Sequence, residues 1–160
     1  MSVPARLPVF ATVNVAVTVP SSDTLLVADN PLYPFGFGLS YTTFSVSALS
    51  ATSSVSDQGT VTATFTVSNT GSRAGTDIVP VYVHQPVSPV LVPDQRLAGF
   101  TRVTLDPGQT KTVQVSFPVS VLAVTPGDID GTGRPAVELG SYQVQIGTPA
   151  TLTADFTIHN

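Results

Sequence analysis

A chain of 160 residues has room for one hydrophobic core and little more, so a single domain with flanking extensions is expected. It is 42% hydrophobic but only 10% charged, a Val-, Thr-, Ser- and Ala-rich mixture with 14 Pro and 12 Gly that favours strands and turns over helices. The net charge of -4 with six Lys and Arg leaves no basic footprint for nucleic acid, the absence of Cys rules out disulfides and thiolate chemistry, and no run approaches the ~20 apolar residues that span a membrane.

Residues 1–28 read as an N-terminal extension. Val9, Ala11, Val13, Val15, Val17 and Val19 alternate with Thr12, Asn14 and Thr18, which predicts one strand with a buried face and breaks the apolar run a signal sequence needs. Residues 29–43 form a junction, containing DNPLYPFGFGLSY, in which Pro31 and Pro34 restrict the backbone while Gly36 and Gly38 permit turns or close approach. Leu32, Tyr33, Phe35, Phe37, Leu39 and Tyr41 make it too apolar to lie free in water. It packs either across this domain's own core or against a neighbouring domain.

From residue 44 to residue 160 the pattern is strand, turn, strand. Phe44, Val46 and Ala48 alternate with polar neighbours, and Ser53–Gly59 reads as a polar turn. Val61, Ala63, Phe65 and Val67 should face a core, with Thr60, Thr62, Thr64, Thr66 and Ser68 outward. Asn69–Gly75 connects to a strand through Ile78–Val83, in which Pro80 cannot donate a ladder hydrogen bond and so predicts an edge position or a bulge. His84–Gln95, with three prolines, reads as an extended surface connection. Leu97, Phe100, Val103 and Leu105 should then return apolar side chains to the core. Asp106–Gln109 is a turn, Val113, Val115 and Phe117 a strand, and Val119–Val124 a short strand or one helical turn. After a polar loop at Asp128–Pro135, two strands follow through Tyr142, Val144 and Ile146 and through Leu152, Ala154, Phe156 and Ile158. About seven strands from Phe44 onward predict an all-β fold, a β-sandwich, with an antiparallel barrel compatible with the same alternation.

Catalytic signatures are missing. His84 and His159 stand apart, without an HExxH or CxxC partner. Asp128, Asp130 and Thr132 place oxygen donors at alternate positions, with Gly131 and Gly133 beside them, but the closing glutamate of a calcium loop is absent, and a metal-free turn is expected. Asp94, Asp106 and Glu138 are the carboxylates that could form a glycosidase pair. Each lies in a turn or loop without a sign of convergence. No catalytic residue, cofactor or metal is therefore expected.

The blocks ADNPLYPFGFGLSYTTF, VSNTGSRAGTDIVPVYV, PDQRLAGFTRVTLDPGQTKTVQVSF and ELGSYQVQIG, in this order over residues 28–158, resemble the C-terminal region of family 3 glycoside hydrolases of the β-glucosidase and β-xylosidase type. The resemblance implies a fibronectin type III-like, immunoglobulin-like sandwich over 44–160, with ARLPVF resembling the end of a preceding α/β domain. It also implies that the catalytic carboxylates belong to other domains, so the chain is not catalytic by itself but is part of, or derived from, an enzyme acting on β-glycosides. Tyr33, Phe35, Phe37, Leu39 and Tyr41 match the family's aromatic junction and are expected to dock domains together. Asn69, Gly71 and Gly75 match a turn, and Leu97, Gly99 and Phe100 the return to the sheet. His84, Gln85 and Asp94 mark a loop that could border a substrate entrance. The expected partners are the catalytic domains of such an enzyme, in cis or as a split chain. An independent module binding β-linked glycans or protein is the alternative. Nucleic acid and membrane are not expected partners.

Overall fold

The structure, a computed structural model, describes residues 41–125, 133–147 and 151–160. The N-terminal extension, the junction as far as residue 40 and the whole Asp128–Thr132 oxygen cluster lie outside the described residues. Among the described residues eight strands form two sheets: β1 (Phe44–Ala51), β3 (Thr60–Asn69) and β6 (Thr110–Pro118) in the order β1-β3-β6, and β2 (Ser54–Ser56), β4 (Gly75–His84), β5 (Arg96–Leu105), β7 (Gly140–Ile146) and β8 (Leu152–His159) in the order β2-β8-β7-β4-β5. Of the two architectures compatible with the alternation, the sandwich is the one formed.

Period-2 patterning builds the core. Val61, Ala63, Phe65 and Val67 of β3 face Val115 and Phe117 of β6 on one side of the interior, while Val79, Val81 and Val83 of β4, Tyr142, Val144 and Ile146 of β7, and Phe156 and Ile158 of β8 close it from the other. Each such Val, Ile or Phe contributes about 1.5–3 kcal/mol when fully buried. The opposite face of the smaller sheet is a hydroxyl ladder: Thr62 pairs with Ser116 at 2.9 Å and Ser68 with Thr110 at 2.9 Å. Tyr142, stacked on Phe156 with centroids 5.4 Å apart, reaches back through its hydroxyl to Glu138 O at 2.8 Å, which satisfies the polar end of an otherwise buried ring.

Several expectations change. The region Ser53–Gly59 contains β2, an extra short strand parallel to β8 that buries Val55. Ala48 is exposed and sits at φ 55, within an irregularity between Ser47 and Ser50 that turns Leu49 and Ala51 toward the core in its place. Leu97 and Phe100 do not return to the core; they are 54% and 65% exposed. Facing β4, the ladder steps from Gly99 directly to Leu97, leaving Ala98 unmatched, and this bulge rephases the strand so that Leu97 shares the outer face with Phe100. Pro80 meets its expectation in an instructive way. β4 is internal by sheet order, yet along Gly75–Pro80 it pairs only with β5, with β7 joining from Val81, and the bulge follows at Val81/Tyr82. Residues Val119–Leu122 form one 3-10 turn, and the following segment is closed by a bridge between Val124 and Ala136.

Candidate functional site

The chain leaves β4 at His84 and returns at Arg96, and the base of this excursion is held at three successive residues. Asp94 offers both its carboxylate Oδ1, at 2.9 Å, and its backbone carbonyl, at 3.0 Å, to His84 Nδ1. With two acceptors facing it, Nδ1 must carry the proton. Gln95 donates through Nε2 to Gln145 Oε1 at 2.8 Å. Gln145 in turn donates to Gln143 Oε1 at 3.1 Å and Gln143 to Asp155 Oδ1 at 3.0 Å. An ionised carboxylate only accepts, so Asp155 sets the direction of every amide in the row. Arg96 then spreads its guanidinium over the end of the 3-10 turn, donating to Leu122 O at 2.8 Å, Val121 O at 2.9 Å and Ala123 O at 3.2 Å. A planar fork of fixed donors suits carbonyls left unpaired at a helical terminus.

Above this base the loop is apolar. Val87 and Leu91 are 82% and 81% exposed. Between Pro86, Val87 and Pro89 on one side and Glu138–Tyr142 on the other lies a hollow of about 290 Å³. Gln85 is buried at the root: its Nε2 donates to Val87 O at 3.1 Å, and its Oε1 has no hydrogen-bond partner among the described residues. An unmet buried acceptor costs about 1–3 kcal/mol.

The sequence-selected residues are thus unequally placed. His84 and Asp94 meet, Gln85 is buried next along the chain, and Tyr41 is 92% exposed just ahead of β1. Tyr33, Phe35, Phe37 and Leu39 lie outside the described residues. The carboxylates weighed as a catalytic pair occupy separate places. Asp94 is engaged by His84, and Asp106 lies beyond the opposite end of β5, about 30 Å away at ~3.3 Å per residue. Glu138 precedes β7, where its charge adds to burial in raising the Tyr142 hydroxyl above its usual range, with Arg96 opposing it. Sequence reasoning missed the Gln95–Gln145 and Arg96 anchors. The one available signal was an arginine directly following a proline-rich loop in a chain with few charges.

At the other end, Asn69 organises the turns. Only 1% exposed, it donates to Arg73 O at 2.7 Å and Leu105 O at 3.1 Å and accepts from Gly71 N and Thr42 Oγ1, each at 3.0 Å. Gly71 lets the chain pass against Thr43, whose carbonyl receives Thr70 N at 2.8 Å. Through the buried Asn69, the NTG turn therefore ties the start of β1 to the ends of β3 and β5.

Comparison with known proteins places these features in a family. Residues 77–150 match the fibronectin type III-like domain model. The periplasmic β-glucosidase of Salmonella typhimurium is 44% identical over 98 residues, covering 61% of this chain and 12% of that protein. A putative β-xylosidase of Formosa agariphila is 35% identical over 128 residues, covering 78% and 16%. Among solved structures, β-glucosidase 3B of Thermotoga neapolitana superposes with a TM-score of 0.69 at 33% identity, over 82% of this chain and 18% of that one. The chain carries the fibronectin type III-like domain of family 3 glycoside hydrolases. It spans less than a fifth of the relatives named here. In this fibronectin type III-like domain the matched region runs from β4 through β7, so it contains the proline-rich loop, all three of its anchors and the Tyr142 corner. Among its described residues no helix is long and apolar enough to cross a membrane.

Proposed function

We propose that the domain is a non-catalytic accessory part of a β-glucosidase-like family 3 glycoside hydrolase, holding the catalytic domains in their working arrangement, with the His84–Asp94 loop bordering the substrate entrance. The observation that carries this reading is proportion: a segment alike in sequence and fold recurs in β-glucosidases as 12–18% of the polypeptide. The domain boundaries follow from the same reading, with residues 1–28 continuing a preceding α/β domain, 29–43 as the aromatic junction and 44–160 as the sandwich. Tyr33, Phe35, Phe37, Leu39 and the exposed Tyr41 are the junction's docking side chains.

A glycan-binding module of its own would call for a strip of exposed aromatic rings. Among the described residues the exposed aromatics are Tyr41 and Phe100, one leading into the three-stranded sheet and the other on the five-stranded sheet.

The test mixes the chain with the catalytic portion of a family 3 β-glucosidase lacking its own fibronectin type III-like segment. Association with a rise in the Tm of the catalytic portion is expected, since a partner that binds only the folded state stabilises it. Absence of both association and any change in stability or activity would sink the assembly role. The chain alone should leave aryl β-glucosides and β-xylosides intact.

A further inference from the structure

We infer that the anchored His84–Arg96 loop is the surface by which this domain grips the catalytic portion of the enzyme, with Val87 and Leu91 entering an uncharged, apolar recess on that portion. The inference rests on the accessory reading and assigns it a particular face.

Two exposed aliphatic side chains on a loop would ordinarily be of small consequence. Here they are mounted on a base that is ordered before any partner arrives. Asp94 is bound to His84, Gln95 to Gln145, and Arg96 to three carbonyls of the 3-10 turn. Pro86, Pro89 and Pro93 further limit the backbone between these anchors. A loop fixed in this way loses little conformational freedom on docking, so its apolar tip binds more tightly than the same residues on a flexible loop.

The character of the partner follows from the loop's chemistry. From Gln85 to Pro93 it has no charged side chain, and Asp94 at its neck is already hydrogen-bonded to His84 within the chain. A charged recess would find nothing here to pair with. A glycan surface would meet aliphatic side chains in place of rings. In the relatives more than four-fifths of the polypeptide lies outside the region like this chain, which makes the rest of the enzyme the polypeptide at hand.

The experiment compares three forms of the full chain for binding to the catalytic portion by calorimetry: wild type, the double variant V87S/L91S, and F100S on the outer face of the five-stranded sheet. Because Val87 and Leu91 are exposed, thermal unfolding of the isolated double variant should match wild type. The expected result is at least a tenfold loss of affinity for the double variant, with F100S binding as wild type does. Unchanged affinity in the double variant overturns the assignment, as does a loss confined to F100S. If the wild type itself does not bind, the accessory reading fails and the assignment fails with it, whereas wild-type binding with an unaffected double variant removes the assignment alone.

Discussion

Two buried or half-buried polar residues set the strictest local requirements. Asn69 uses both its donors and its carbonyl inside the protein. Replacing it with alanine removes the amide donor from both Leu105 O and Arg73 O and leaves Gly71 N only its longer bond to Thr43 O, and a loss of about 2–4 kcal/mol in urea unfolding is expected. Gly71→Ala should fail at the same place for a steric reason: a Cβ there would collide with Thr42 Oγ1 and stand 2.8 Å from the backbone nitrogen of Thr43, which cannot rotate away. Asp77 works in the opposite direction. Burial raises its pKa above the ordinary 3.8, with the hydrogen bond from Ile78 N opposing the shift. Below pH 3.8 the carboxyl is protonated in both folded and unfolded chains, so folding gains in full from the proton-binding preference of the native state. As pH rises through the folded-state pKa that contribution is lost. Asp77→Asn, which keeps the acceptor for Ile78 N, should therefore raise the Tm at pH 7 and leave it nearly unchanged at pH 3. A gain that is equal at both pH values would show that charge burial is not the cause. Asn69 could be seen in the sequence only as part of an NTG turn, because its hydrogen bonds reach residues as far as 36 positions away.

At the scale of elements, alternation revealed most of the strands, and the bulges account for where the reading of side chains went astray. Val61–Val67 and Val113–Phe117 follow an unbroken period of two and face as expected. In β1 and β5 a local slip changes the phase, so Ala48 and Leu97 point outward although simple alternation would place them inside, while Phe100 stays in phase with Arg102 and Thr104 on the outer face despite its apolar character. The slip in β5 adjoins Gly99 and lies across from the residue after Pro80, whereas the one in β1 has no glycine or proline to mark it. β2 was hidden for another reason: three residues, two of them serine, have no periodicity to read, and the strand exists because β8 is there to pair with it. Arg96 illustrates the same dependence on distant structure, joining β5 to carbonyls 25 to 27 residues away. Lysine at this position would keep the charge but not the fork. Arg96→Lys should cost about 1–2 kcal/mol, read by chemical denaturation, and should increase hydrogen exchange at Val121–Val124. Unaltered exchange there would mean that the turn holds itself.

For the whole molecule, the question is whether the sandwich depends on what precedes it. The core cluster is drawn from Val55 to Ile158, with Phe44, Val46 and Ala51 packed at its margin, so among the described residues a closed interior is complete without the first 40 positions. The family and fold were legible because the motif blocks and the alternation extend along this same region. The docking proposed for Tyr33, Phe35, Phe37 and Leu39 would place their energetic partner outside the sandwich, where alternation within this chain carries no sign of it. These considerations give a direct prediction. A chain beginning at Tyr41 should fold and unfold cooperatively in urea, with a midpoint and slope close to those of all 160 residues, because slope tracks the surface exposed and most of that surface belongs to the sandwich. Binding to the catalytic portion should separate the two forms: the shortened chain retains the proline-rich loop and Tyr41 but lacks Tyr33, Phe35, Phe37 and Leu39 of the aromatic junction, so it should associate more weakly while remaining as stable. If the shortened chain is unfolded, the first 40 residues are part of the core, and the aromatic side chains at 33–39 belong to this domain and not to its neighbour.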